Sequence, residues 1–324
     1  MNTFQKIENK NEWEDLLGRT LFKTFFHTPE WENFLEKNFS WLRFERYVWN
    51  GELLLSIARC RLFGKEKVVS HPFCEYGGPL PLKKGVVYSN FENDFIEKFG
   101  DSARMRFHPY IKVGSAGSLS TFWIDNYSRK TVDDLWRGIR KTLRQEIGVK
   151  DGQDVYIEDC KSEDELRQFY KIYLNTVRRH KNIPLTFAIF KFLYEGAVDA
   201  DIQLAKYDGK VLGGSIFLFY QPFIHYFLSA ADSRFRDKNI GHKILWYAMQ
   251  KYVGREYNYF DLGGTRKGSA LEVFKRGWGA KEFFIFGIGN NSDRGGVSSL
   301  RNILGFVPPG LMVRAAPFAL WLKV

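Results

Sequence analysis

The chain has 324 residues, 44% of them hydrophobic and 17% aromatic, which excludes a single small core and suits two globular domains of ordinary size. A net charge of +11 and a pI near 9.4 favour an anionic partner: nucleic acid, a phosphate-bearing substrate or an acidic membrane surface. Three widely spaced cysteines without a C-x-x-C pair, and six scattered histidines without H-E-x-x-H, support neither a disulfide framework nor a zinc centre. The charged N-terminal stretch has no apolar signal core, so a reducing, cytoplasmic setting is expected.

His27 to Asn38 reads as a short helix with Pro29 in its first turn. Strands are expected at Leu42–Trp49 and Glu52–Arg61, joined by Asn50-Gly51, the strongest short hairpin signal, with a third at Lys67–Ser70. His71 to Pro79 must be a loop. A helix around Tyr88–Phe99 and strands at Ala103–Phe107 and Ser120–Asp125 follow. Thr131-x-x-Asp134 opens one helix whose apolar stripe is Leu135, Ile139, Leu143 and Ile147 and whose other face carries Arg137, Arg140, Lys141 and Arg144.

The second half follows the same plan. Ser162-x-x-Glu165 caps a helix with the stripe Leu166, Phe169, Tyr173 and Val177. Strands at Ile202–Tyr207, Lys210–Tyr220 and Phe223–Ala231 precede a helix at Ile240–Val253. A strand at Tyr257–Leu262, a short helix at Leu271–Lys275 and a strand at Phe283–Ile288 complete it. The repeated order predicts an α+β fold of two tandem domains, residues 1–150 and 151–290, with mixed, mostly antiparallel sheets flanked by helices. A tail, 291–324, would lie on a membrane surface or pack back on the first domain. Pro308, Pro309 and Pro317 speak against a spanning helix there. Phe306, Leu311, Met312, Phe318, Trp321 and Leu322 would form its apolar side.

The run Tyr259–Lys281 gathers the candidate chemistry. Acyl transfer builds negative charge on a carbonyl oxygen, and a fixed cation lowers that barrier. Lys275, on a short helix beside Phe274 and the turn at Gly277, is the candidate. Asp261, at a strand end before Gly263-Gly264, could orient an amine or simply bind the N–H groups of the following turn. The residues do not name the base: His225 and Asp261 are candidates, and the substrate itself could serve. Tyr226 and Ser229 fall on opposite faces of a regular strand and would share one only across a bulge. Arg178, Arg179 and His180 close a helix, where they either complement its dipole or hold a substrate's phosphate or carboxylate. Arg236 to Gly241 aligns with a pyrophosphate loop of acetyl-CoA transferases, but its first glycine is Asn239. Gly241 alone remains as a coenzyme-binding candidate. Tyr76, in Glu75-Tyr-Gly-Gly-Pro79, is a candidate for an acceptor wall.

The stretches FFHTPEWENFL, SHPFCEYGGPL, Arg140–Gly148, HYFLSAADSRFRDKNIGHKIL, FDLGG and VFKRGWGA, in this order and spacing, resemble the FemAB-like transferases. These are tandem GNAT-type domains related to the peptidoglycan bridge-forming aminoacyltransferases. The resemblance implies a transferase with its acceptor in a cleft between domains, moving an amino acid from aminoacyl-tRNA, or another acyl group, onto an amine of a cell-envelope precursor. It maps the family's Phe-Lys pair onto Phe274 and Lys275, its tyrosine strand onto Tyr226 and its basic helix end onto Arg178 or Arg179. The long helical hairpin of the bridge-forming enzymes has no counterpart, and the tail resembles that of a shorter branch associated with exopolysaccharide systems.

The expectation is therefore an acyl- or aminoacyltransferase with no permanently bound cofactor. Its donor is aminoacyl-tRNA or acyl-CoA. Its partners are an anionic envelope precursor or lipid-linked glycan, a tRNA, and the membrane through the tail. The alternatives are an acetyl-CoA-dependent N-acetyltransferase acting on a small molecule, a basic glycan or membrane adaptor using Arg140, Arg144 and the tail, and a general RNA binder with steep salt dependence.

Overall fold

The computed structural model describes residues 4–112, 115–148, 155–289 and 307–322. In chain order the elements are β1 (Phe4–Lys6), α1 (Lys10–Arg19), α2 (Pro29–Asn38), β2 (Leu42–Trp49), β3 (Leu53–Leu62), β4 (Lys65–Val69), β5 (Leu80–Pro81), α3 (Phe91–Phe99), β6 (Met105–Arg106) and β7 (Ser115–Ile124). There follow α4 (Val132–Gly138), α5 (Lys141–Gly148), β8 (Tyr156–Asp159), α6 (Glu163–Arg179), α7 (Phe187–Tyr194), β9 (Ala200–Tyr207), β10 (Lys210–Tyr220), β11 (Phe223–Ala231) and α8 (Ile240–Tyr252). The last are β12 (Tyr259–Arg266), α9 (Ala270–Gly277), β13 (Lys281–Ile288) and α10 (Pro309–Ala319).

The chain forms two compact units, neither continuous in sequence. The first takes 1–121, 283–297 and 318–324, and the second takes 122–282 and 298–317. The division near residue 150 expected from the helix order thus differs from where the chain clusters, because the segment from Phe122 to Gly148 packs with the later elements.

In the first unit β1, β2, β3 and β4 form an antiparallel sheet, with β5 on β3, and β6 pairs with β13. Asn50 and Gly51 both take left-handed φ, 48° and 68°, the geometry a two-residue hairpin turn needs. The core is aromatic: Phe4, Tyr47, Phe91, Phe95, Phe99 and Phe107 pack with Leu55 and Ile57. Beside it lies a buried polar knot. Glu32 accepts from Ser56 (2.6 Å) and from Arg46 (2.7 Å), and the His71 ring lies 3.4 Å away. Burial alone would raise the Glu32 carboxyl, but His71, Arg46 and Ser56 outweigh it and hold it below its ordinary value. His27, ring centre 5.6 Å from that of His71, is pushed down to about 3 by burial and by the neighbouring His71.

In the second unit the sheet order is β12-β11-β10-β9-β8. The β11–β12 pair is parallel, and the other pairs are antiparallel. Asp208-Gly209 makes the β9–β10 turn as Asn50-Gly51 does the earlier one. α8 lays Ile244, Leu245, Met249 and Tyr252 on Phe217, Ile224, Phe260 and Leu262, and Leu135, Ile139, Leu143 and Trp278 extend this core. The capping residues read from sequence act as such: Thr131 and Asp134 bond reciprocally, and the Ser162 hydroxyl accepts from the Glu165 N–H at 3.2 Å.

Several expectations need correction. The single helix after Thr131 is two, α4 and α5, broken where Ile139 turns extended (φ −75°, ψ 136°). The basic residues therefore do not form one continuous face. β12 does not end at Leu262 but runs through Gly263-Gly264 to Arg266, with Gly263 at φ 77°. α1 and α7 were not foreseen. The tail carries a short helix, α10, with Pro317 in its last turn, in line with the expectation that it does not span a membrane. Its apolar residues divide: Met312 and Trp321 are buried, whereas Leu311 and Phe318 are exposed. Phe306 lies outside the described residues. No helix among the described residues is long and apolar enough to cross a membrane.

Candidate active site

In the second unit the β11–β12 pairing covers only the first part of each strand. β11 and β12 pair through Phe223↔Tyr259, Ile224↔Phe260 and His225↔Asp261. There the ladder stops, although β11 continues to Ala231 and β12 to Arg266. Past that rung the β12 backbone turns to side chains for its partners: the Gly263 N–H and the carbonyls of Gly263 and Gly264 are bonded by Asp261 and Lys275.

Three side chains cluster where the ladder ends. In a parallel pair, residues in register point to the same face, so His225 and Asp261 meet. His225 Nδ1 lies 3.0 Å from Asp261 Oδ2, while Asp261 Oδ1 accepts from the Gly263 N–H at 2.7 Å. Asp261 is fully buried, and it plays the turn-binding role expected of it while also holding the histidine. With Nδ1 donating to the carboxylate, the neutral ring carries its lone pair on Nε2. The third is Lys275, which is buried, 3% exposed. Its ammonium donates to the carbonyls of Gly263 (2.7 Å) and Gly264 (2.8 Å). The left-handed Gly263 is what lets β12 distort and turn successive carbonyls to one cation.

α9 positions this lysine. Ser269 caps it, accepting from the Glu272 N–H, and Glu272 accepts from the Gly268 N–H at 2.6 Å. Its end is seated on the α4–α5 break: Arg140 N–H donates to Gly277 O at 2.8 Å, and Gly279 (φ 74°) approaches Gly138 so closely that a Cβ would lie 2.8 Å from its carbonyl oxygen. Phe274 stacks on His242 at 5.4 Å and 17° and lies edge-on to Trp278. Burial lowers the His242 ring, opposed by Glu146 3.2 Å away.

Tyr226 and Ser229 share a face after all. The register of β10 with β11 slips between Ile216↔Leu228 and Phe217↔Tyr226, so Phe227 is an extra residue and the alternation inverts. Ser215 donates to Ser229 at 2.9 Å. Burial raises the Tyr226 phenol, partly opposed by its bonds to Ser229 and Ser215. Tyr226 stacks on Phe217 in the core under α8, and strand alternation turns it away from the neighbouring His225.

The remaining candidates are separate. Arg178 and Arg179 sit in the last turn of α6, where Arg179 helps hold Asp232 below its ordinary value, after the Asp232–Arg234 pair. Gly241 lies in the first turn of α8 with open space at its Cβ position, so no backbone constraint demands glycine there. Tyr76 belongs to the first unit, buried with its ring edge-on to His108 at 5.2 Å. No group of residues fit to hold a metal occurs among the described residues. The His225–Asp261 contact was missed as a pair. The signal was that each is the third residue of its strand.

A split sheet with a polar cluster at the split defines a class. Residues 130–276 match the model of the acetyltransferase (GNAT) domain, and the second unit carries this acyltransferase fold. Taken over its length, the chain has the FemAB-like, tandem GNAT-type fold. The crystal structure of FemX is similar with a TM-score of 0.62 at 14% identity, covering 87% of this chain and 97% of that one. L-PGS from Bacillus licheniformis gives 0.56 at 14% identity (92% and 97%). A tandem GNAT protein from the clavulanic acid biosynthesis pathway, solved without AcCoA, gives 0.50 at 11% (88% and 97%). At these identities the likeness is one of fold. No curated protein matches the sequence.

Proposed function

We propose that this chain transfers an acyl or aminoacyl group from an activated donor to an amine of a cell-envelope precursor, of peptidoglycan or exopolysaccharide type. The observation that carries the reading is the Lys275 ammonium, buried and fixed by two carbonyls where β11 and β12 part. The acceptor amine attacks the donor carbonyl, a C–N bond forms, and the oxygen gains negative charge in a tetrahedral adduct. A cation held in place before reaction lowers that barrier without reorganising, an effect of about 3 kcal/mol for one donor. His225, oriented by Asp261, takes the proton the amine must lose, and returns it to the leaving sulfur or ribose oxygen as the donor's C–S or C–O bond breaks and the carbonyl reforms.

The donor is acyl-CoA or aminoacyl-tRNA, bound transiently, and the net charge of +11 suits either it or an anionic, lipid-linked acceptor at the inner face of the membrane. Arg178 and Arg179 on α6, and Phe274 on α9, are the residues assigned to substrate in this reading, whereas Tyr226 and Ser229 serve the core under α8.

Mass spectrometry of envelope precursors from cells with and without the gene tests it. A precursor that gains one acyl or aminoacyl mass only with the gene supports the reading, and identical precursors overturn it. Calorimetry with acetyl-CoA separates the acetyl-CoA-dependent alternative, which requires saturable binding of that donor.

A further inference from the structure

Alternation along β4 puts Lys65, Lys67 and Val69 on one face. Arg104 joins them, bridged to Val69 and donating its backbone N–H to Val68 O at 2.9 Å. With Ser102, Glu66 and Trp321 these residues line a cavity of 340 Å³ that lies wholly in the first unit. Its charge is positive, since Glu66 is already tied to Arg59 and Arg61. Its floor is built: the buried Trp321 indole donates to Cys60 O at 2.9 Å. The Lys67 ammonium stands 4.3 Å from the centre of that ring and donates to Trp321 O at 3.1 Å. The volume is at the small end for ligand sites, the size of a phosphate ester and its immediate substituent.

The hairpin beside this cavity is unusual. Its two-residue turn, Phe63-Gly64, has φ 52° and 72°, as Asn50-Gly51 and Asp208-Gly209 have in theirs. Asn and Asp suit the first position of such a turn, and a bulky aromatic does not. Phe63 is nevertheless there, 86% exposed, so its ring gains no burial to offset the strain. Arg61 and Lys65 flank it in sequence. Phe318, 54% exposed, comes three residues before Trp321. Aromatic rings held in water next to a basic, phosphate-sized cavity match a lipid surface, where rings enter the interface and cations meet headgroups.

We propose that the Lys65–Lys67–Arg104–Trp321 cavity takes the phosphate of an anionic lipid headgroup, with Phe63 inserted beside it. This is a second site, independent of acyl transfer, and its test requires no catalysis.

Flotation of the full chain with vesicles of phosphatidylcholine alone, and of phosphatidylcholine with phosphatidylglycerol, reads it. Binding to the anionic vesicles only is expected. Lys65→Ala should weaken it about 5-fold and Lys65→Ala with Arg104→Gln about 25-fold, at roughly one cation's worth each. Phe63→Ser should weaken it several-fold with the melting temperature not lowered. Equal binding to both vesicles, or full binding by Lys65→Ala and Phe63→Ser, overturns the proposal. So does saturable calorimetric binding of glycerol 3-phosphate, lost in Lys65→Ala, by a chain that ignores both vesicles: that result makes the cavity a site for a soluble phosphate ester. Loss of RNA binding in the same variants without a vesicle preference overturns it too.

Discussion

His225 and Asp261 meet at the last rung of the β11–β12 ladder, Nδ1 to Oδ2 at 3.0 Å, immediately before the strands part. The pairing fixes the imidazole from below by main-chain register and from the side by a carboxylate that is itself held by the Gly263 N–H. Asp261→Asn tests what the charge does. The amide oxygen can still accept from Gly263, so the far-UV spectrum should be unchanged. Turnover is expected to fall about 10²- to 10⁴-fold, the usual size of general-base loss, with donor affinity by calorimetry little altered.

Lys275→Met keeps the length of the side chain and removes its charge. Turnover at saturating donor should fall about 10²- to 10³-fold. Urea unfolding should show a loss of about 1–3 kcal/mol from leaving the Gly263 and Gly264 carbonyls without this donor. Full turnover combined with the stability loss would make Lys275 a clamp on β12 and remove the centre of the acyl-transfer reading.

The His27 site makes the first unit acid-sensitive. Its folded value, about 3, lies below the ordinary 6.5, so the unfolded chain takes up a proton that the folded chain refuses. Stability is therefore complete above pH about 6.5 and declines as pH falls toward 3. Glu32, also depressed, adds to the decline below its ordinary value of 4.5. Urea titrations across this range should show the midpoint falling with pH, and His27→Gln should flatten the slope above pH 4.5.

Phe63→Asn should stabilise the first unit by about 1 kcal/mol, because asparagine tolerates the left-handed turn and no buried contact is lost. A rise in melting temperature together with weaker vesicle binding would show that position 63 trades stability for a surface function.

Most of the scaffold was legible because its signals are local. Asn50-Gly51, Asp208-Gly209, Thr131 with Asp134, and Ser162 with Glu165 each fix their own turn or helix start. What was hidden depends on partners remote in sequence. The helix after Thr131 has an unbroken apolar stripe, yet it divides at Ile139, and the freed Arg140 N–H bonds Gly277, far along the chain. Gly263-Gly264 looked like a strand terminator and instead continues β12, its carbonyls turned to Lys275. The bulge at Phe227 leaves no mark in composition, yet it decides that Tyr226 and Ser229 lie together. Residue type alone singles out Lys275 and Asp261 as candidates, whereas the placement of Asp261 against His225 comes from the register of β11 on β12 and that of Lys275 from the two carbonyls it bonds.

The interruption between α4 and α5 carries a further meaning for α9. A helix ends with carbonyls that its own backbone cannot satisfy. α9 finds a donor for one of them in the N–H that Arg140 withholds from its own helix. The lysine's position is thus set from outside its own segment, by the turn at Ile139 that frees the Arg140 N–H for Gly277.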